Sequence, residues 1–273
     1  MVSQATLERR PRRPVRQPAA ADAARVAHGG KTVYGAAVGI LMLETGFPRI
    51  PGDIGNAGTW PFPVLFRVVR GATPKAVNTD REGWLVNAFI AAGRELVAMG
   101  ASGLATSCGF LTLYQDDLAR ACGVPVAASS LLQVPLVDRL LPPGKRAGIL
   151  TISTDILKPD HLAAAGIPPD TPIQGCQDGR EFARMPRRPD RTMDAALSEQ
   201  DVLEAGEALI RRHPEVGAVV MECTNLPPYG RALAERIRLP VFTIVSFITW
   251  FQAGLRPREF GPPGAAPRPW REI

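Results

Sequence analysis

The sequence predicts an α/β protein of two pseudo-symmetric lobes, each a parallel β-sheet flanked by helices, with the active site in the interlobe cleft. Three observations predict it. Residues 108–126, CGFLTLYQDDLARACGVPV, and residues 223–241, CTNLPPYGRALAERIRLPV, align without a gap and agree at seven of nineteen positions. The shared positions pair Cys108 with Cys223, Leu111 with Leu226, Tyr114 with Tyr229, Leu118 with Leu233, Ala119 with Ala234, Pro125 with Pro240 and Val126 with Val241; ordinary residue frequencies would give about one or two. Further upstream, Gly39-Ile40-Leu41 and Gly148-Ile149-Leu150 each open an apolar run, and the repeated Cys follows that Gly by 69 residues in one half and 75 in the other. Finally, apolar runs of strand length alternate with segments of helical period, the pattern of parallel sheets joined by right-handed crossovers.

Taken in order, TVYGAAVGILML reads as a buried strand ending at Glu44-Thr45-Gly46. FPRIPGDIGNAGTWPFP follows as a long Pro- and Gly-rich loop, a kind usually tied to function; its Trp60 and Phe62 either line a pocket or form a local core. VLFRVV is the next strand. Between Thr79 and Met99, Leu85, Ala88, Phe89, Ala92 and Leu96 form one helix face, and Gly100 ends the helix. SGLATS is a strand that delivers Ser107-Cys108-Gly109-Phe110, followed by the first repeat helix, the strand PVAAS and a helix over SLLQVPLVDRLL.

Pro142-Pro143-Gly144 marks the boundary between lobes. RAGILTI is then a strand, Ser153-Thr154-Asp155 cap a helix over DILKPDHLAAAG, and PIQGC is a short strand. The basic segment DGREFARMPRRPDRTMD is a loop, read first as solvated and second as a collector of anions through Arg180, Arg184, Arg187, Arg188 and Arg191. SEQDVLEAGEALIRRH is a helix, AVVME the strand before Cys223, PPYGRALAERIR the second repeat helix and PVFTIVSF the last strand. The resulting division is a disordered Arg/Pro-rich tail over 1–30, lobes over 31–141 and 142–255, and a tail over 256–273.

Composition sets the class. The 273 residues are 45% hydrophobic and 21% charged, ordinary for a globular protein. The net charge is +6, of which the first thirty residues hold +4 through six Arg against Glu8 and Asp22. The high pI therefore describes a tail, and a nucleic-acid partner is not expected. No apolar run reaches the roughly 18–20 residues of a membrane span. Cys108, Cys122, Cys176 and Cys223 match no zinc spacing and lie far in sequence from His28, His161 and His213, so no metal is expected and a reducing cytoplasm is the default.

Ligands of parallel sheets sit beyond the carboxyl ends of the strands, and one repeated Cys falls there in each lobe. Alone, such a Cys is an inert core residue; two at matched positions would face each other across the cleft. Each precedes a helix whose N-terminus favours thiolate over thiol. Two such groups on opposite sides of one carbon can remove and return an α-proton. Glu222 raises the pKa of Cys223 if it points inward, and strand alternation leaves its direction open.

TSCGF, ECTNLPPY and GILMLETG, with the duplication, resemble the aspartate/glutamate (hydantoin) racemase superfamily over roughly residues 35–255. The resemblance implies two lobes closing on a small acid, proton transfer by one Cys from each lobe without a cofactor, and a homodimer. By that resemblance Cys108 and Cys223 are catalytic, and Glu44, Thr45, Ser107, Gly109, Phe110, Thr224 and Asn225 line the substrate. Glutamate racemases carry Asn-Thr where Gly109-Phe110 stand and His where Asn225 stands, which points away from glutamate and aspartate toward a bulkier or less polar carbon acid. The expected activity is racemisation or epimerisation. Decarboxylation or cis-trans isomerisation on the same fold is the alternative, and a non-catalytic small-molecule-binding protein is the alternative of another class.

Overall fold

The computed structural model describes residues 29–80, 83–182, 184 and 192–258. The sequence-derived tail over 1–30 thus falls almost wholly outside the described residues, as do most of the tail over 256–273 and Arg187, Arg188 and Arg191 of the basic loop.

Two four-stranded parallel sheets form the frame. The first contains β1 (Val38–Leu43), β2 (Val64–Val69), β3 (Gly103–Thr106) and β4 (Val126–Ala127), in the order β2-β1-β3-β4. The second contains β5 (Arg146–Thr151), β6 (Ile173–Gly175), β7 (Val216–Met221) and β8 (Val241–Phe242), in the matching order β6-β5-β7-β8. The duplication extends to individual hydrogen bonds. Leu104 N donates to Pro125 O at 3.0 Å, and its repeat mate Val219 N donates to Pro240 O at 2.9 Å. Gly39 and Gly148 also share a reason: a Cβ on Gly39 would press on Leu96 and Leu104, and one on Gly148 on Leu209 and Val216.

Leu96 and Leu209 belong to the long helices α2 (Trp84–Met99) and α6 (Ala195–Arg212). Each presents an apolar stripe to its sheet, with Leu85, Phe89, Ala92 and Leu96 buried in α2 and Val202, Ala205 and Leu209 in α6. Full burial of such side chains stabilises the fold by about 1.5–3 kcal/mol each. The short α1 (Pro74–Thr79), capped by Thr73, precedes α2. The repeat helices are α3 (Gln115–Cys122) and α7 (Gly230–Ile237).

The lobes exchange their last helices. After β4 the chain forms α4 (Val134–Leu140), whose Val134 and Val137 pack with Ala147 and Ile149 of the second sheet. After β8 it forms α8 (Ile244–Leu255), whose Ile244 and Ile248 pack with Val38, Ile40 and Ala105 of the first. This exchange joins the two sheets through apolar cores, so the described residues from Lys31 form one compact unit.

Two elements differ from the sequence reading. The helix expected from Asp155 is only α5 (Pro159–Ala164), because Pro159 takes the first helical position, where its missing N–H costs nothing. The last strand is cut to two residues. Thr243 caps α8 by accepting from Val245 N and Ser246 N at 3.2 and 3.3 Å, which turns residues 244–247 of the expected strand into helix.

Candidate active site

β3 and β7 end beside each other's lobes, and the repeat places a Cys after each. Ser107 N donates to Leu41 O at 2.9 Å, and Glu222 N to Leu150 O at 2.8 Å, so both chains leave their sheets at the same register. Each Cys O accepts from the backbone N–H three residues on, Leu111 N at 3.1 Å and Leu226 N at 3.2 Å, and 3-10 turns over Gly109–Tyr114 and Pro227–Tyr229 lead into α3 and α7. A cross-lobe bond closes the floor, with Thr224 Oγ1 donating to Ser107 O at 2.7 Å, while Ser107 Oγ accepts from Leu43 N at 2.8 Å.

Cys108, Cys223, Thr45, Ser107, Gly109, Phe110, Thr224 and Asn225 line one cavity of about 170 Å³. This is small beside the roughly 300–1,000 Å³ of drug-sized pockets. Leu43, Phe47, Pro74, Phe110, Ile152 and Ile156 supply apolar wall. Glu44 alone among the expected residues does not line it. Its carboxylate turns outward to Arg70 Nη1 at 3.1 Å and Gly71 N at 2.8 Å, because the strand alternation that sends Leu43 and Thr45 inward sends Glu44 out. Trp60 and Phe62 stay out of the cavity too: their rings lie 5.8 Å apart, Trp60 Nε1 donates to Ile54 O at 3.2 Å, and both pack into the core between the first sheet and α8.

Two charged residues absent from the expected site line it, and a third, Asp53, supports one of them. Glu222 points inward and is buried, its Oε2 accepting from Thr151 Oγ1 at 2.7 Å. Arg49 arrives on the long first loop, its guanidinium 4.4 Å from the centre of the Phe47 ring. It donates to Thr45 Oγ1 and Asp53 Oδ1, each at 2.9 Å. Asp53 is buried and links onward, its Oδ2 accepting from Asn225 Nδ2 at 2.7 Å. The available signal was the i, i+4 spacing of Arg49 and Asp53 in a loop leaving the first strand.

The electrostatics reverse one expectation. Burial pushes the Cys108 thiol up to about 12, and the Glu222 charge adds to this. The N–H groups of Phe110 and Leu111 and the charge of Arg49 act the other way without prevailing. Cys223 is raised well above the ordinary thiol range, first by burial, then by Glu222, against the N–H of Asn225. The turn amides do favour thiolate as the sequence suggested, but removal from water outweighs them. Burial also raises Glu222 to about 7, with the Thr151 hydroxyl opposing. Behind the wall, the Phe110 ring lies 5.1 Å from that of His161, whose Nδ1 accepts from Lys158 N at 2.9 Å and whose pKa burial lowers.

Among the described residues no group of three or more His, Cys, Asp or Glu could hold a metal ion, and no helix is long and apolar enough to cross a membrane.

No family model matches the chain. Dimethylsulfoniopropionate lyase 5 of Emiliania huxleyi (strain CCMP1516) is 30% identical over 226 residues, which cover 78% of this chain and 44% of that protein. Lyase 7 of the same organism is 28% identical, covering 80% and 67%, and the dimethylsulfoniopropionate lyase of Durusdinium sp. clade D is 24% identical, covering 80% and 75%. The chain thus spans under half the length of the first of these relatives. Among solved structures, arylmalonate decarboxylase superposes with a TM-score of 0.53 at 14% identity over 85% of this chain and 96% of its own. Allantoin racemase from Klebsiella pneumoniae gives 0.55 at 15% identity over 81% and 87%. The paired four-stranded sheets are therefore the two-lobe α/β fold that arylmalonate decarboxylase and allantoin racemase share.

Proposed function

We propose that this protein is a carbon-acid enzyme that removes the proton α to the carboxylate of a small substrate through Cys108 and Cys223, and that this drives β-elimination from dimethylsulfoniopropionate or a close sulfonium carboxylate. The observation that carries the reading is the make-up of one small cavity: two thiols and a carboxyl, all raised by burial, stand with Arg49 among apolar walls. The protein's own residues supply each part of the chemistry, and no cofactor is invoked.

Arg49 holds the substrate carboxylate. Its fork is oriented by Thr45, Asp53 and Phe47 with N–H groups to spare, and it stabilises the enolate charge that develops as the α-proton leaves. A permanent cation on the substrate brings positive charge beside the thiols. Acidic groups outnumber cations there, so a sulfonium beside a thiol offsets the desolvation that keeps the thiol neutral. The thiol loses its proton to solvent and, as thiolate, takes the Cα proton. The C–H electron pair becomes the new C=C bond, and the Cβ–S pair departs with neutral dimethyl sulfide. Acrylate remains on Arg49, and Phe47, Phe110, Ile152 and Ile156 suit the apolar leaving group. Similarity to several dimethylsulfoniopropionate lyases supports elimination.

A second reading, racemisation or epimerisation, is favoured by the presence of two thiols from opposite lobes, since elimination needs only one base. Incubation of the purified protein with dimethylsulfoniopropionate tests the first reading: equal amounts of dimethyl sulfide and acrylate are expected. Inversion of an α-stereocentre in a panel of amino acids and hydantoins, with no sulfide released, would favour the second.

A further inference from the structure

The two thiols are placed in unlike surroundings, and the difference reaches back to the first loop. Cys223 Sγ donates to Asn225 Oδ1 at 3.6 Å. An amide could turn over and offer its NH₂ to sulfur instead, but this one is held: its Nδ2 donates to Asp53 Oδ2 at 2.7 Å. The Asp53 carboxylate, paired with Arg49 and accepting from Gly55 N at 2.7 Å, is an acceptor and takes only the NH₂ end of Asn225. The carbonyl end therefore faces Cys223 and welcomes an S–H. Among the described residues Cys108 Sγ has no such side-chain hydrogen bond; the Glu222 charge acts on both thiols, and the backbone N–H groups of Phe110 and Leu111 favour the Cys108 thiolate.

We propose that Asp53 is a positioning residue which, by orienting the Asn225 amide, keeps the proton on Cys223, so that Cys108 is the thiol that becomes the base. This rests on the reading of the two cysteines as the proton-transfer pair. The repeat makes the device visible, because Asn225 stands where Phe110 stands in the other half, and only one half carries the acceptor. Burial and then the Glu222 charge already hold Cys223 neutral, against the Asn225 backbone N–H, so the device adds to them.

The test needs no substrate, so its outcome is separate from that of the elimination reading. Alkylation by iodoacetamide is followed by mass spectrometry at Cys108 and Cys223 individually, as rate against pH, in the full-length protein and in Asp53→Asn. The rate profile of Cys108 is expected to rise at lower pH than that of Cys223. In Asp53→Asn the Asn225 amide is free to turn its NH₂ to sulfur, and the Cys223 profile should move down by about one pH unit, a tenfold faster reaction at fixed pH. The Cys108 profile should stay within about threefold. Asn225→Ala removes the acceptor outright and should move Cys223 the same way, which keeps the test open if Asp53→Asn does not fold. A Cys223 profile below that of Cys108 in the unmodified protein, or one that neither variant moves, overturns the proposal.

Discussion

Glu222 and Gly109 meet across the two lobes. The carboxyl before Cys223 lies so close to the Cα after Cys108 that a Cβ on Gly109 would overlap Glu222 Oε1. Gly109 is therefore required by close approach, and Gly109→Ala should force Glu222 out of its bond with Thr151. Overpacking of this kind typically costs about 1–3 kcal/mol. Urea unfolding should show that loss, and turnover should fall at least tenfold, on the order of the larger part of that cost expressed at the site.

Glu222 also makes stability depend on pH with a definite sign. Its folded-state value of about 7 lies above its ordinary 4.5. Between those values the native protein binds the proton more tightly than the unfolded chain, so stability falls as pH rises through the window. Above it the loss is complete, about 3 kcal/mol at 1.36 kcal/mol per pH unit of separation. Glu222→Gln should match the parent near pH 4 and exceed its stability by about that amount at pH 8. Parallel curves of stability against pH would contradict the buried carboxyl's part in it.

Arg49→Met should keep the stem over Phe47 and lose the fork. Charged hydrogen bonds of this kind are worth about 1.5–3 kcal/mol, so kcat/KM for an anionic substrate should fall about 10- to 150-fold. Asp53 loses its partner in the same variant, so Asp53→Asn serves as the comparison. A substrate ester lacking the carboxylate charge should be turned over equally poorly by parent and Arg49→Met.

Much of this was legible in the chain, for physical reasons that differ by element. The strands and the long helices announce themselves because Leu96 and Leu209 pack on Gly39 and Gly148, and that contact imposes the same local pattern twice. Cys108 and Cys223 were marked by the repeat, and their turns carried Ser107, Gly109, Phe110, Thr224 and Asn225 into the same cavity. Arg49 and Asp53 were hidden because their placement is set by contacts 172 residues away, from Asp53 to Asn225, which no local period encodes. Glu44 turns outward to Arg70 and Gly71 by the alternation between Leu43 and Thr45, a pattern the sequence carries. The direction of the thiol shifts was misread because turn amides are visible in sequence, whereas depth of burial is a property of the assembled lobes.

The most direct test is incorporation of solvent deuterium at the α-carbon. The protein, Cys108→Ser and Cys223→Ser are incubated in deuterated water with dimethylsulfoniopropionate and with a panel of amino acids and hydantoins, and both recovered substrate and product are read by mass spectrometry. The thiol account predicts that the unmodified protein breaks an α C–H bond in at least one of these compounds, seen as sulfide release or α-deuteration, and that serine at Cys108 lowers the rate by at least about a hundredfold while circular dichroism stays unchanged. Full turnover in both serine variants would contradict it.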